Sequence, residues 1–250
     1  IAALAAVKTQ KGRVMRAPPR IPPYAAAVMA SKPVVYWRLD DLNGPHAVNM
    51  VDGKGLGTFE TQVAYYMPGP QAPAFPGLGP DNRAPHFIGQ RLAAEVPDLG
   101  PSYTAEMWFY NCMPTDARPV TGYLFSRGAG GDQLAIGGTE CSPGKLVFHA
   151  GNDFGKAHAG ATDVPLRNWV PSESWHHVAL VRDGEKATVY LDGRPQPELD
   201  TKSPPVSDGS LWIAGRSDGE FGFEGRIAEV ALYPLALAAA EISRHYQSAI

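Results

Sequence analysis

The sequence predicts an all-β protein, a sandwich of short strands with a short helix after the last strand. Its 250 residues include 27 Gly and 24 Pro, and only 19% are charged, a composition typical of many short strands joined by loops. A β-hairpin is indicated between Trp175 and Gly193, and a final strand with a helix between Phe223 and Tyr246. A chain of this length buries a sizeable core without disulfides.

The hairpin has the sequence WHHVALVRDGEKATVYLDG. Aliphatic, β-branched and aromatic residues mark its two strands, at 179–181 and 188–191. We expect Asp183 and Gly184 to form the turn, because a tight reversal needs positive φ, and Asp192 and Gly193 to close the second strand. The segment 223–246 continues as a strand, a break at Pro234 and a short helix.

These two segments together resemble the LamG-like jelly-roll family of the concanavalin A-like lectin and glucanase superfamily. Members of that family end with a WHHVA-type hairpin and an I-D-E-V-x-I-Y-x-x-A-L-S strand and helix. Further similar strings extend the resemblance over residues 33–248; they are YWRLDD at 36–41, HFIG at 86–89, YTAEMWFY at 103–110 and LWIAG at 211–215. The resemblance implies an antiparallel β-sandwich of jelly-roll type, concanavalin A-like, with a short C-terminal helix.

The N-terminal residues predict a separate arm. Ile1–Val7 is too short and too rich in Ala to span a bilayer, and 8–23 combine five cationic side chains with four prolines, which favours an extended, solvated segment. Residues 24–30 can form two helical turns before Pro33. We therefore expect residues 1–23 to be an arm or linker and residues 24–250 to be the LamG-like domain.

Charge and resemblance together limit the function. A formal charge of −3 with a pI near 6.2 provides no basic field for nucleic acid. The resemblance implies a recognition module that binds carbohydrate in an extracellular, cell-surface or periplasmic location. The alternative is a structural or scaffolding subunit of a larger surface assembly, not itself membrane-spanning, with protein partners. The proline-punctuated segment 43–85 is where we expect such a partner to dock.

No glycosidase signature is complete. Glycosidases of the superfamily carry E-x-D-x-x-E on one strand, and the nearest string here begins with Glu198 and Asp200 but has Ser203 in third place. A retaining mechanism needs two carboxyl groups held about 5 Å apart. We therefore expect a protein without catalytic residues, and regard a glycoside hydrolase as the third hypothesis.

Asp40, Asp41 and Glu229 form a candidate calcium site, because jelly-roll sandwiches resembling this one hold calcium where the first and last strands meet. The family's I-D-E-V string has Ala228 in place of its Asp, which removes one ligand. An ion pair between Glu229 and Arg38 is therefore the slightly preferred expectation.

Four residues are candidates for binding a sugar ligand. Trp169 and Asn168 share a loop and offer an exposed ring beside an amide, whereas the other tryptophans fall in predicted strands and are assigned to the core. Asp218 and Glu220 lie in the Gly-rich loop 215–222, where an ordinary solvated turn is the alternative.

Two further residue pairs remain open to different interpretations. Cys112 and Cys141 are near strand ends and form either a disulfide or two reduced, buried thiols. His176 and His177 are adjacent on a strand, so their side chains point to opposite faces and cannot share one site. We expect one ring to pack inward and the other to face solvent or the opposite layer.

Overall fold

The computed structural model describes residues 21–94, 96–128, 130–151, 158–163, 175–205 and 209–250. Two α-helices lie within these ranges, α1 (Pro23–Ala30) and α2 (Ala239–Ala249). The strands are β1 (Val35–Trp37), β2 (His46–Val48), β3 (Gly55–Phe59), β4 (Ala64–Pro68), β5 (Arg83–Ile88), β6 (Leu92–Ala94), β7 (Tyr103–Asn111), β8 (Val120–Arg127), β9 (Asp132–Gly137), β10 (Lys145–Ala150), β11 (His158–Asp163), β12 (Trp175–Asp183), β13 (Lys186–Leu191), β14 (Arg194–Pro195), β15 (Thr201–Lys202), β16 (Leu211–Ile213) and β17 (Glu224–Tyr233). The predicted all-β class is confirmed.

The described strands form two antiparallel sheets. The nine-stranded sheet has the order β14-β13-β12-β7-β17-β5-β4, with β1 paired to β17 and β15 paired to β13. The eight-stranded sheet has the order β11-β10-β9-β8-β16-β6-β3-β2. Both sheets combine hairpins of consecutive strands with pairs that are distant in sequence, such as β7 with β17 and β8 with β16, so the arrangement is the predicted sandwich of jelly-roll type.

The main hydrophobic core lies between the two sheets. Alternate residues of β7, such as Met107 and Phe109, point into it, as do Val178 and Leu180 of β12. Leu134 and Phe148 enter from the eight-stranded sheet. Each of these side chains is at most 1% exposed. Because successive side chains of a strand point to opposite faces, every second residue of these strands packs into the core between the two sheets.

A buried ion pair joins the two sheets through the core. Arg182 on β12 is fully buried and contacts Asp132 on β9 with Nη2, while its Nε donates to Asp132 Oδ2 at 3.0 Å. The hydroxyl of Tyr103 on β7 donates to the same oxygen at 2.6 Å. Because both charges are paired and hydrogen-bonded, their burial is tolerated, and removal of one partner would leave the other uncompensated.

The hairpin is formed by β12 and β13, with a register that differs from the prediction. Asp183 pairs with Lys186, so Asp183 ends β12 and the two-residue turn consists of Gly184 and Glu185. Gly184 has a φ of 55°, which confirms the expected positive φ at that residue. Asp192 and Gly193 turn the chain into β14, with φ values of 50° and 72°.

The final strand, the break and the helix are confirmed. β17 ends at Tyr233, Pro234 follows it, and α2 begins at Ala239. At the chain's other end, α1 begins one residue before the predicted helical segment. Residues 1–20 of the expected arm lie outside the described residues, so the boundary between arm and domain stays a prediction.

Both helices cover the outer face of the nine-stranded sheet. This helix-covered face comprises the second hydrophobic cluster, in which Tyr24 of α1 meets Trp108 of β7 with ring centroids 5.9 Å apart. Tyr246 of α2 stacks on the same indole at 5.9 Å. Phe75 from the segment 43–85 packs there too, 4.8 Å from Trp108. The chain thereby closes one outer surface of the sandwich with its own apolar side chains.

Candidate functional site

The outer face of the eight-stranded sheet has no helix of the described chain packed on it, and it carries a row of polar and aromatic side chains. The strand register places Trp212 of β16 opposite Ser126 of β8, Ser126 opposite Gln133 of β9, and Gln133 opposite His149 of β10. Their neighbours in sequence, such as Leu211 and Leu134, point into the core. We call this row, with Tyr123, the polar face; Trp212 is its one partly exposed member, and the other four residues are at most 1% exposed.

The centre of the polar face holds buried polar atoms that have no hydrogen-bond partner in the described part of the chain. They are Ser126 Oγ, Gln133 Oε1 and Trp212 Nε1, on three adjacent strands. Ser126 and Gln133 are 0% and 1% exposed. Most buried polar groups in proteins are satisfied, so an adjacent set of unsatisfied ones indicates a place where a ligand or water completes the bonding.

Tyr123 and His149 form the second part of the polar face. Their rings meet edge to face at 5.9 Å, and the Tyr123 hydroxyl lies 3.3 Å from His149 Nε2. Arg216 places its guanidinium over the Tyr123 ring and donates to the same hydroxyl at 3.0 Å. Asp218 contacts Arg216 in turn. Burial favours a higher pKa for Asp218, but the bonds from Arg216 and from the Glu220 amide lower it overall.

Trp212 marks the other end of the row. Its indole is half-buried, and the Arg91 guanidinium lies 4.2 Å from the ring centroid. Arg91 is held in place by Glu60 and by the carbonyl groups of Arg216 and Ser217. The alternation of Leu211, Trp212 and Ile213 could have predicted that the indole faces outward, whereas the sequence analysis assigned it to the core.

The predicted ligand residues lie in or near this region where the structure describes them. Asp218 and Glu220 are exposed, in the loop between β16 and β17 as expected. Asp218 lies beside the polar face because it pairs with Arg216. The Glu220 side chain has no partner among the described residues. The backbone amide of Glu220 donates to Asp218 Oδ1 at 3.0 Å. Trp169 and Asn168 lie outside the described residues.

At the candidate calcium position the structure forms the expected ion pair. Arg38 Nε lies 3.2 Å from Glu229 Oε1 and Arg38 Nη1 lies 3.2 Å from Asp40 Oδ2. Asn82 donates to Glu229 Oε1 at 2.6 Å, and the Tyr36 hydroxyl donates to Oε2. Among the described residues, no hydrogen bond or ion pair joins Asp41 to this cluster. Within the described ranges, no three His, Cys, Asp or Glu side chains are arranged to hold a metal ion.

Glu229 reaches this position because β17 is irregular there. The register against β7 shifts between Ala228 and Ala231, and Glu229 has a φ of 55°, a strained value for a residue with a side chain. The carboxylate is 1% exposed, and burial raises its pKa despite the bonds from Arg38 and Tyr36. Both carboxylate oxygens accept hydrogen bonds, as the expected ion pair requires, and calcium binding stays a prediction.

The cysteines and the acidic string are also located. No bond joins the sulfur atoms of Cys112 and Cys141. Cys112 packs against the helix-covered face and Cys141 against the cluster around Tyr123, on the other sheet. The structure therefore does not support the disulfide alternative.

The two carboxylates of the incomplete glycosidase string lie away from the core strands. Glu198 is in a 3₁₀ turn, and Asp200 follows that turn with its Oδ2 3.7 Å from Lys186 Nζ.

The two histidines point to opposite faces, as expected. His177 is fully buried on the helix-covered face, where its Nε2 lies 3.1 Å from Glu106 Oε2. His176 is on the inner side, with Nδ1 2.8 Å from Asp192 Oδ2. The expected separation of the two rings is confirmed.

Glu106 is the centre of a buried network that sequence analysis missed. Besides His177, it contacts His245 of α2 at 3.0 Å and accepts from the Tyr233 hydroxyl. His245 Nε2 lies 2.9 Å from Ser31 Oγ, at the end of α1. Burial alone would raise the pKa of Glu106, but the bonds from the two histidines lower it to about 2. This network is closed to solvent, and it attaches both helices to the sheet.

Comparisons with known proteins agree with this architecture. The family model Laminin_G_3, described as the concanavalin A-like lectin/glucanases superfamily, matches residues 88–243. Domain 4 of AbnA, a GH43 extracellular arabinanase from Geobacillus stearothermophilus in complex with arabinotriose, is similar with 17% identity and a TM-score of 0.60, covering 86% of this chain and 98% of that one. No curated protein sequence matches the chain.

Two other similar structures belong to larger proteins. The botulinum neurotoxin serotype D binding domain has 10% identity and a TM-score of 0.57, covering 87% of this chain and 52% of that one. Trypanosoma rangeli sialidase has 15% identity and a TM-score of 0.55, covering 86% of this chain and 32% of that one. At such identities the likeness shows the fold alone. The family match over residues 88–243, more than half of the chain, shows that this chain belongs to the concanavalin A-like lectin/glucanases superfamily.

Proposed function

We propose that this protein is a non-catalytic recognition module that binds carbohydrate at the polar face, in an extracellular, cell-surface or periplasmic location. The observation that carries the proposal is the row from Trp212 to His149, in which Ser126 Oγ and Gln133 Oε1 have no partner in the described chain. A sugar supplies both hydroxyl donors for such acceptors and a C–H face for an aromatic ring.

The charges of the polar face also suit a neutral, hydroxylated ligand. Arg216 is paired with Asp218, and Arg91 is paired with Glu60. These pairs hold the guanidinium groups over the rings of Tyr123 and Trp212, so the polar face combines aromatic rings with fixed hydrogen-bond donors, and each positive charge is paired. The similar arabinanase domain is in complex with arabinotriose, which makes a pentose oligosaccharide a suitable first ligand to test.

The arrangement of carboxylates supports binding without catalysis. Glycoside hydrolysis by retention requires two carboxyl groups about 5 Å apart on the substrate face. Beside the polar face, Asp218 and Glu60 are each paired with an arginine, and Glu198 and Asp200 lie at a 3₁₀ turn next to β13.

The extracellular location in this proposal rests on family membership. Separately, none of the described helices has the length and apolarity to cross a membrane.

A carbohydrate microarray tests the proposal, followed by calorimetry with the best ligand. Trp212→Ala should weaken binding at least tenfold, because stacking on the exposed side of the indole is lost. Tyr66→Ala is the matched control: Tyr66 is an aromatic residue 44% exposed on β4, at the edge of the other sheet. Absence of binding to every glycan, or equal affinities of the two variants, would contradict the proposal.

The alternative, a scaffolding subunit, is favoured by one surface. β4 is an edge strand of the nine-stranded sheet, and Tyr66 and Met67 on it are 44% and 38% exposed. Ile88 on the neighbouring β5 is 57% exposed. A purification of the native protein with its partners separates the hypotheses: capture of a defined protein that Tyr66→Ala releases and Trp212→Ala retains would favour the scaffold.

A further inference from the structure

A cavity of about 490 Å³ lies at one end of the sandwich, away from the polar face. Its described walls are formed by residues 96–101, Arg127, Pro205 and residues 209–211. Its size is within the range of small-molecule sites, roughly 300–1,000 Å³. Three of the lining residues are prolines, Pro97, Pro101 and Pro205, and their fixed φ restricts the conformations that the cavity wall can adopt.

Arg127 contributes a buried positive charge to this cavity. Its side chain is 7% exposed, and its guanidinium lies 4.5 Å from the centroid of the Tyr103 ring. Nη1 donates to the Gly100 carbonyl at 2.9 Å and Nη2 contacts Asp98 Oδ1 at 3.3 Å. A guanidinium has five N–H donors, so these two hydrogen bonds to described residues leave some of the Arg127 donors available for a ligand.

The anionic partner of Arg127 is weakly held. The Asp98 side chain is 88% exposed, so solvent screens its attraction to the guanidinium. The same Oδ1 also accepts from the Gly100 amide at 2.9 Å, which divides its hydrogen bonding between two donors. A ligand carboxylate in the cavity would match the fork of the guanidinium with two parallel hydrogen bonds.

We propose that this cavity binds a small ligand with one carboxylate on a hydroxylated ring, the chemical class of a uronic acid. The carboxylate contacts Arg127, and the ring packs against the proline walls while its hydroxyl groups meet backbone polar groups and solvent. This site is independent of the polar face. Arg127 and Ser126 are adjacent on β8, and their side chains therefore point to opposite sides of the sheet.

Calorimetric titration at constant ionic strength with D-glucuronate, methyl glucoside and acetate tests the ligand class. Glucuronate should bind at least about tenfold more tightly than methyl glucoside, which lacks the charge, and than acetate, which lacks the ring. If glucuronate binds no better than either of the two probes, the proposal is wrong.

Three variants test the position of the site. Arg127→Lys keeps the charge but loses the fork, and should weaken glucuronate binding about tenfold. Asp98→Asn removes the competing carboxylate from an exposed loop residue, and should strengthen binding about threefold in a protein that folds normally. Asp81→Asn, a charge-matched change at another exposed position, should leave the affinity unchanged. An unaltered affinity in Asp98→Asn would overturn the assignment even if Arg127→Lys failed to fold.

Trp212→Ala separates this inference from the proposed function. It should reduce glycan binding at the polar face and leave glucuronate affinity unchanged. Loss of glucuronate binding in Trp212→Ala, with no effect of Asp98→Asn, would place the acidic ligand on the polar face and contradict a site at Arg127.

Discussion

The helix-covered face and the polar face are the two outer surfaces of one sandwich, and they treat polar side chains differently. Under the helices, Glu106 contacts two histidines and a tyrosine, and Glu229 contacts Tyr36, Arg38 and Asn82. On the polar face, a hydroxyl and an amide oxygen are buried without a partner in the described chain. The first surface holds the protein's own elements together, and the second is where we propose that a ligand binds.

Unpartnered atoms also occur under the helices. They include the Tyr24 hydroxyl, Asn82 Oδ1 and ring nitrogens such as Trp108 Nε1. The unpartnered oxygens of Ser126 and Gln133 differ in position, because these two residues are paired across β8 and β9 and Trp212 is paired with Ser126 on the next strand. The comparison teaches that the clustering of unpaired atoms, rather than their presence or type, marks the polar face as the candidate site.

The largest expected effect comes from breaking the Glu106 network. Glu106→Gln replaces a buried acceptor of three hydrogen bonds with an amide, so it should lower the free energy of unfolding by about 3 kcal/mol or more. Chemical denaturation measures this loss. Glu220→Gln, the same change at an exposed loop residue, should alter stability by less than about 0.5 kcal/mol. Equal effects would show that the network does not hold the helices.

Acid should weaken the helix-covered face selectively. The pKa of Glu106 is about 2 in the folded protein, below its ordinary value of 4.5, so its contribution to stability is present above pH 4.5 and is lost as the pH falls toward 2. The full difference corresponds to about 3 kcal/mol. Thermal melts between pH 6 and pH 2 should show a smaller slope in Glu106→Gln than in the wild type. Parallel slopes would contradict this assignment.

The Glu229 ion pair should be independent of calcium. Glu229→Gln is expected to destabilise the domain by about 1–3 kcal/mol, because Arg38 loses a buried partner. Calcium and a chelator should leave the melting temperature of the wild type unchanged, since a bound metal would stabilise the folded state by about 2.7 kcal/mol at a hundredfold excess over Kd. A calcium-dependent shift abolished by Asp40→Asn would establish the metal site instead.

The smallest effect gives the most direct comparison of the two faces. Ser31→Ala removes a hydroxyl that bonds His245 under the helices, and should cost about 1 kcal/mol. Ser126→Ala removes a buried hydroxyl that has no described partner, and should be neutral or slightly stabilising while weakening glycan binding. Denaturation curves of both variants measure the difference. A destabilised Ser126→Ala would indicate that the hydroxyl serves the fold.

Local signals in the sequence were sufficient for much of the fold. The hairpin, the break at Pro234 and α2 follow from turn residues and periodicity within about twenty residues, and the resemblance supplied the sheet arrangement. The error at the hairpin turn, by one residue, arose because Asp183 and Gly184 suit a tight turn as well as Gly184 and Glu185 do.

The site depends on contacts that no local signal contains. Glu106 meets His177 and His245, which are 71 and 139 residues away in sequence. The polar row requires the register of four strands, and the position of Glu229 requires a shift of register within β17. Sequence analysis named Asp218 and Glu229 from their residue types, but it could not place them without those pairings.

The contact between α1 and α2 also fixes which side of the sandwich carries the helices. Both helices lie on the nine-stranded sheet, so residues 23 and 249 are on the same side. The polar face belongs to the eight-stranded sheet, on the opposite side. A sugar bound where we propose would therefore be separated from both helices by the full thickness of two sheets.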